Sequence, residues 1–73
     1  MRTREIWESV HSYAAMIDDS MEEIMCGWGE TDRQATIREA QRLATERGPG
    51  EPTPQDLEDV AADLVELEAA YHE

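Results

Sequence analysis

The chain has 73 residues, enough for one small domain, and it carries 18 acidic residues against six basic ones, for a net charge of −12. This charge disfavours binding to nucleic acid or to an anionic membrane, and it favours encounters with basic surfaces. The lone cysteine, Cys26, excludes an internal disulfide, and the longest apolar run, residues 14–17, excludes a membrane span or a secretory signal. We therefore expect a cytoplasmic protein.

The first predicted element is a long helix over residues 4–26. Thr3 is its expected cap, and neither glycine nor proline interrupts the segment before Gly27. Apolar side chains recur at steps of three or four residues, as on one face of a helix. This stripe comprises Ile6, Val10, Tyr13, Ile17, Met21, Ile24 and Trp28.

A second helix is predicted over residues 31–47. Thr31 and Gln34 have the spacing of a capping box at its start, and Gly48 follows its end. Its apolar face is thin and consists of Ile37, Ala40, Leu43 and Ala44. Because this helix contains both arginines and acids, it can lie between two acidic helices without repulsion.

The third predicted helix, residues 54–71, follows a Gly/Pro connector over residues 48–53. Thr53 is its expected cap, with Pro54 at the first helical position. Its apolar stripe comprises Leu57, Val60, Leu64, Leu67 and Tyr71. Three helices with short connections predict an all-α fold, a small three-helix bundle that spans residues 1–73 as a single domain.

The negative charge is unevenly distributed along the chain. Residues 1–47 contain ten acids and six arginines, whereas residues 48–73 contain eight acids and no basic residue. A charged helix face is most often solvated surface, but a rigid row of carboxylates also resembles the charge spacing of a nucleic-acid backbone. The predicted partner-binding acids are Asp56, Asp59, Asp63, Glu66 and Glu73 on the third helix and Asp18, Asp19, Glu22 and Glu23 on the first.

Two apolar features leave alternatives open. Trp28 lies between two glycines, where it either plugs the end of the bundle or serves as an exposed anchor for a partner. Ala61, Val65 and Ala69 share the back of the third helix, where they either pack on a neighbouring helix or form a homodimer seam.

Signals for catalysis and metal binding are weak. Glu8 and His11 have the spacing of half a di-iron motif, but a complete site needs a second such pair and further carboxylates. Cys26 has no second cysteine or nearby histidine to complete a metal or redox motif. The sequence contains neither a phosphate-binding glycine loop nor a nucleophile elbow. We therefore expect a protein that is not an enzyme and that binds no metal or other cofactor.

In length, charge and predicted helical content, the chain resembles the small acidic helical proteins that phages and mobile elements use against host defences, anti-CRISPR proteins and DNA mimics among them. The resemblance implies an inhibitor that binds a basic surface of a nucleic-acid-handling host complex and keeps nucleic acid out. The alternative function is a helical adaptor or antitoxin-like subunit that acts through apolar helix packing. In that case the charge contributes only solubility and encounter rate.

Overall fold

The computed structural model describes residues 2–48 and 50–71, and within these ranges it contains four α-helices and no β-strand. The helices are α1 (Thr3–Ile17), α2 (Ser20–Cys26), α3 (Glu30–Arg47) and α4 (Pro54–Tyr71). α1 packs against each of the other three helices, and α3 also packs on α4. The predicted all-α class is therefore confirmed, whereas the predicted number of three helices is wrong.

The additional helix arises because the predicted first helix breaks at Asp18. The backbone of Asp18 is extended, with φ −144° and ψ 112°. Its carboxylate accepts hydrogen bonds from the Ser20 amide at 3.1 Å and from the Ser20 hydroxyl at 2.7 Å. Asp and Ser side chains compete in this way with the helical hydrogen-bond pattern, and here the local turn ends α1 and starts α2.

After the break, α2 folds back against α1. His11 Nε2 donates a hydrogen bond to the carbonyl oxygen of Glu22 at 2.9 Å. In a continuous helix, residues 11 positions apart would be separated by about 16 Å along the axis. The reversal buries Met21 and Met25 in the core and leaves Ile17, at the end of α1, 54% exposed.

The Asp18 turn predicts a pH-dependent loss of stability in Asp18→Ala. The two hydrogen bonds from Ser20 lower the pKa of the Asp18 carboxyl below its ordinary value of 3.8. A lowered folded-state pKa stabilises the fold above the ordinary value, and this contribution disappears as pH falls through the folded-state value. We expect Asp18→Ala to melt below the parent at pH 7, and this difference in melting temperature to shrink as pH falls below 3.8.

Asp19→Ala is the matched control, because the neighbouring Asp19 side chain makes no capping hydrogen bond. Thermal unfolding followed by circular dichroism at a series of pH values measures both variants. A difference between Asp18→Ala and the parent that does not change with pH would contradict the assigned role.

The two long helices begin differently from each other. The predicted cap of α3, Thr31, is wrong, because α3 begins at Glu30 and the extended Gly29 precedes it without a side-chain cap. The predicted cap of α4, Thr53, is confirmed. Thr53 Oγ1 accepts from the Asp56 amide at 3.4 Å, and Asp56 Oδ2 accepts from the Thr53 amide at 2.9 Å. This reciprocal pair is a capping box that fixes the first turn of α4.

All four helices contribute side chains to one hydrophobic core. Its largest fully buried side chains come from α1, α2 and α4, whereas α3 contributes Ile37 and the small Ala40. The buried apolar residues of this core are Ile6, Trp7, Val10, Ala14, Met21, Met25, Ile37, Ala40, Leu57, Val60 and Ala61. The thin apolar face predicted for the segment 31–47 is therefore confirmed.

The apolar stripe of α4 extends beyond this core. Leu57 and Val60 are buried and Leu64 is half-buried, as the periodicity predicts. Leu67 and Tyr71, however, are 66% and 87% exposed, so their predicted core positions are wrong. The C-terminal half of α4 thus presents apolar surface to solvent.

Candidate partner-binding surfaces

Asp59, Asp63 and Glu66 form an exposed line along α4, which we call the α4 row. Their spacings of four and three residues place them on one face of the helix. Along the helix axis the charges are about 5 Å apart, compared with about 3.4 Å per phosphate along one DNA strand. The side chain of Asp59 also accepts a hydrogen bond from Gln55 Nε2 at 3.1 Å. The row is therefore a regular negative surface held by a helical backbone.

Asp56 was predicted to extend this row, but the structure gives it a different role. The residue is 6% exposed, and its Oδ2 accepts from Arg47 at 2.7 Å as well as from the Thr53 amide. It joins the C-terminal end of α3 to the start of α4 and is not part of the solvent-exposed row. Glu73, the last predicted member, lies outside the described residues.

The second predicted acidic set, Asp18, Asp19, Glu22 and Glu23, is exposed at the junction between α1 and α2. Asp18 also has a structural role there as the acceptor of the turn. Asp19 and Glu22 line a shallow groove together with Glu8, His11 and Met16. Across the part of the chain that the structure describes, no group of three or more His, Cys, Asp or Glu side chains is arranged to hold a metal ion.

Most arginines form ion pairs or a cation–π contact with residues outside the α4 row. Arg4 pairs with Glu8, Arg47 with Asp56, and Arg42 with both Glu39 and Glu46. The hydrogen bond from Arg42 lowers the pKa of Glu39, and the reciprocal contact raises the pKa of Arg42. The guanidinium of Arg33 lies 5.4 Å from the centre of the Trp7 ring. Among the described residues, no arginine forms an ion pair with the α4 row.

Trp28 is half-buried and packs against the core. Its ring centre lies 6.1 Å from that of Trp7, in a tilted arrangement. Such aromatic pairs stabilise a core beyond their buried area. This geometry fits the predicted plug over the end of the bundle, while part of the ring remains open to the groove described next.

A groove of about 340 Å³ runs between α3 and α4, and we call it the α3–α4 groove. Trp28, Ala35, Thr36, Val60, Leu64 and Leu67 supply its largely apolar lining. Asp32 and Glu39 from α3 and Asp63 from α4 also border it. This groove was not predicted from the sequence, although the thin apolar face of α3 indicates it. Small side chains on α3 leave the apolar stripe of α4 partly uncovered.

The three residues of the suggested homodimer seam, Ala61, Val65 and Ala69, differ in their exposure to solvent. Ala61 is fully buried within its own chain, and Val65 packs against the same core. Only Ala69 is exposed. Packing on a neighbouring helix of the same chain therefore accounts for Ala61 and Val65, and Ala61 is unavailable to a second copy.

No protein-family model, curated protein or solved structure matches this chain. None of the helices in the described ranges has the length and apolar character needed to cross a membrane.

Proposed function

We propose that this chain is a non-enzymatic inhibitor that occupies a basic, nucleic-acid-binding surface of a host defence complex, as anti-CRISPR proteins that mimic DNA do. The α4 row carries the proposal: three exposed carboxylates on a regular helix, with no arginine of the described residues paired to them. A groove built from Lys and Arg to hold phosphates also attracts a rigid row of carboxylates, because both are regular lines of negative charge.

The energetics of the chain support a role for this charge in binding. Like charges spaced three or four residues apart destabilise a helix by a few tenths of a kcal/mol per pair. A domain of 73 residues has little stability to lose, because a short chain buries a smaller share of its surface. A basic partner would neutralise the row and relieve this repulsion on binding.

A second candidate function, the helical adaptor, is favoured by one observation. Leu67 is 66% exposed at the edge of the α3–α4 groove, and exposed large apolar side chains beside a groove are typical of interaction surfaces. In this alternative, apolar packing supplies the affinity. Ionic strength separates the two candidates, because screening weakens contacts between exposed charges much more than it weakens apolar packing.

Affinity capture from cells that contain the intended target tests the proposal. The immobilised chain should retain a nucleic-acid-binding protein at low salt and release it as salt rises. Nuclease treatment of the lysate beforehand excludes capture through bridging nucleic acid. The retained protein, once purified, should bind nucleic acid, and the chain should compete with nucleic acid for that protein. Retention that persists unchanged at high salt would contradict inhibition by mimicry and favour the adaptor.

A further inference from the structure

We infer that the α3–α4 groove binds the apolar side chains of a basic amphipathic helix on the partner. The α4 row attracts this partner by charge, and the groove then anchors it. The inference rests on the proposed function for the positive charge of the partner. The inference adds a second, apolar contact beside the α4 row, and it specifies the partner segment that makes this contact.

The lining of the groove favours a helix with one apolar stripe. Val60, Leu64 and Leu67 stand along one side of the groove, and Trp28 contributes apolar surface as well. The groove is open to solvent along α4, as the 66% exposure of Leu67 shows. Helices bind such grooves through apolar residues at spacings of three, four and seven, each in contact with the floor.

The borders of the groove favour positive charge on both sides of that stripe. Glu39 is already paired with Arg42, so Asp32 on α3 and Asp63 on α4 supply the negative charge. One acid therefore stands on each helix that forms the groove. A partner helix with Lys or Arg flanking its apolar residues would satisfy both acids at once.

Charge also argues against a second copy of this chain as the occupant. Each copy has a net charge of −12. The face around Leu67 is bordered by Asp63 and Glu66. In a second copy, this face would bring its carboxylates against Asp32 of the first copy. Like charges opposed across an interface disfavour association.

Synthetic peptides provide the test, with binding followed by NMR chemical shifts of the full chain. The main probe is a Leu/Lys peptide with leucines at helical spacings of three and four and lysines elsewhere. A Gln/Lys peptide has glutamine in place of each leucine, and a Leu/Glu peptide has glutamate in place of each lysine. The Leu/Lys peptide should shift the signals of Trp28, Leu64 and Leu67 in a saturable way.

Leu67→Gln should weaken binding of the Leu/Lys peptide about tenfold, because it removes an apolar contact at the groove. Met16→Gln is the matched control, because Met16 is 77% exposed in the separate groove beside α1 and α2. Met16→Gln should bind the peptide like the parent. Thermal melts of both variants should match the parent, since both side chains are exposed.

The controls separate failure of this inference from failure of the proposed function. If the Gln/Lys peptide binds the α4 row as tightly as the Leu/Lys peptide, and Leu67→Gln changes nothing, the apolar anchor is wrong and the charge-based proposal stands. If the Leu/Glu peptide binds as well as the Leu/Lys peptide, the positive partner is wrong, and the proposed function loses its basis. The apolar anchor is also wrong if no peptide shifts the NMR signals of the groove residues. The same holds if those signals shift only with protein concentration.

Discussion

Reversing Asp59, Asp63 and Glu66 together to Lys is expected to abolish binding to the basic partner while leaving the fold intact. All three side chains are exposed, and Lys is a good helix former, so α4 should persist. Three contacts would change from attraction to repulsion, which should weaken binding about a hundredfold or more at low salt. Isothermal titration of the captured partner measures the loss, and circular dichroism verifies the fold.

The reversal of Asp19, Glu22 and Glu23 to Lys is a charge-matched control. Both triple variants change the net charge from −12 to −6, so they differ only in the surface that is altered. All three control residues are exposed, and a melt must verify that the short helix α2 tolerates the change. If the α4 row is the contact surface, the control variant should lose only part of its association rate. Equal losses in both variants would instead show that net charge alone determines binding.

Leu57→Ala is expected to cause the largest loss of stability among single substitutions on α4. Leu57 is 2% exposed and belongs to the core that joins all four helices. Truncation of a buried leucine destabilises proteins by about 2–5 kcal/mol. At about 0.05–0.15 kcal/mol per residue, the free energy of unfolding of this chain is only about 4–11 kcal/mol. The melting temperature should therefore fall by about 10 °C or more, or the variant should be unfolded at room temperature.

Leu67→Ala provides the comparison for Leu57→Ala. It removes the same atoms from the same helix, but at a side chain that is 66% exposed. A substitution at such a site should change the free energy of unfolding by about 0.5 kcal/mol or less. Circular-dichroism melts of the two variants measure the contrast directly. Similar melting temperatures for both would show that α4 does not pack through Leu57 as described.

The sequence predicted the helical class and the positions of the long helices because their signals are local. The Thr53 cap and the periodicity of Leu57, Val60 and Leu64 all lie within α4. The break at Asp18 was missed because the apolar spacing from Ile17 to Met21 continues through it, as it would in one helix. The hydrogen bonds from Ser20 to Asp18 determined the outcome, and periodicity contains no information about such a competing turn.

The candidate surface was predicted only in part, since exposure depends on neighbouring helices. The sequence placed Asp59, Asp63 and Glu66 on one face, and the structure leaves them exposed. Asp56 has the same pattern in sequence, yet it is buried and accepts a hydrogen bond from Arg47 at the end of α3. The α3–α4 groove likewise depends on how far the small side chains of α3 cover α4, which a helical pattern alone does not determine.

An equilibrium competition at several salt concentrations tests whether the chain and nucleic acid exclude each other from the partner. A labelled nucleic acid is bound to the partner identified by capture, and the unlabelled chain is titrated into the complex. We expect complete displacement with one chain per nucleic-acid site, and an inhibition constant that rises steeply with salt concentration. A ternary complex of partner, nucleic acid and chain, with an affinity for the chain that salt does not change, would contradict inhibition by nucleic-acid mimicry.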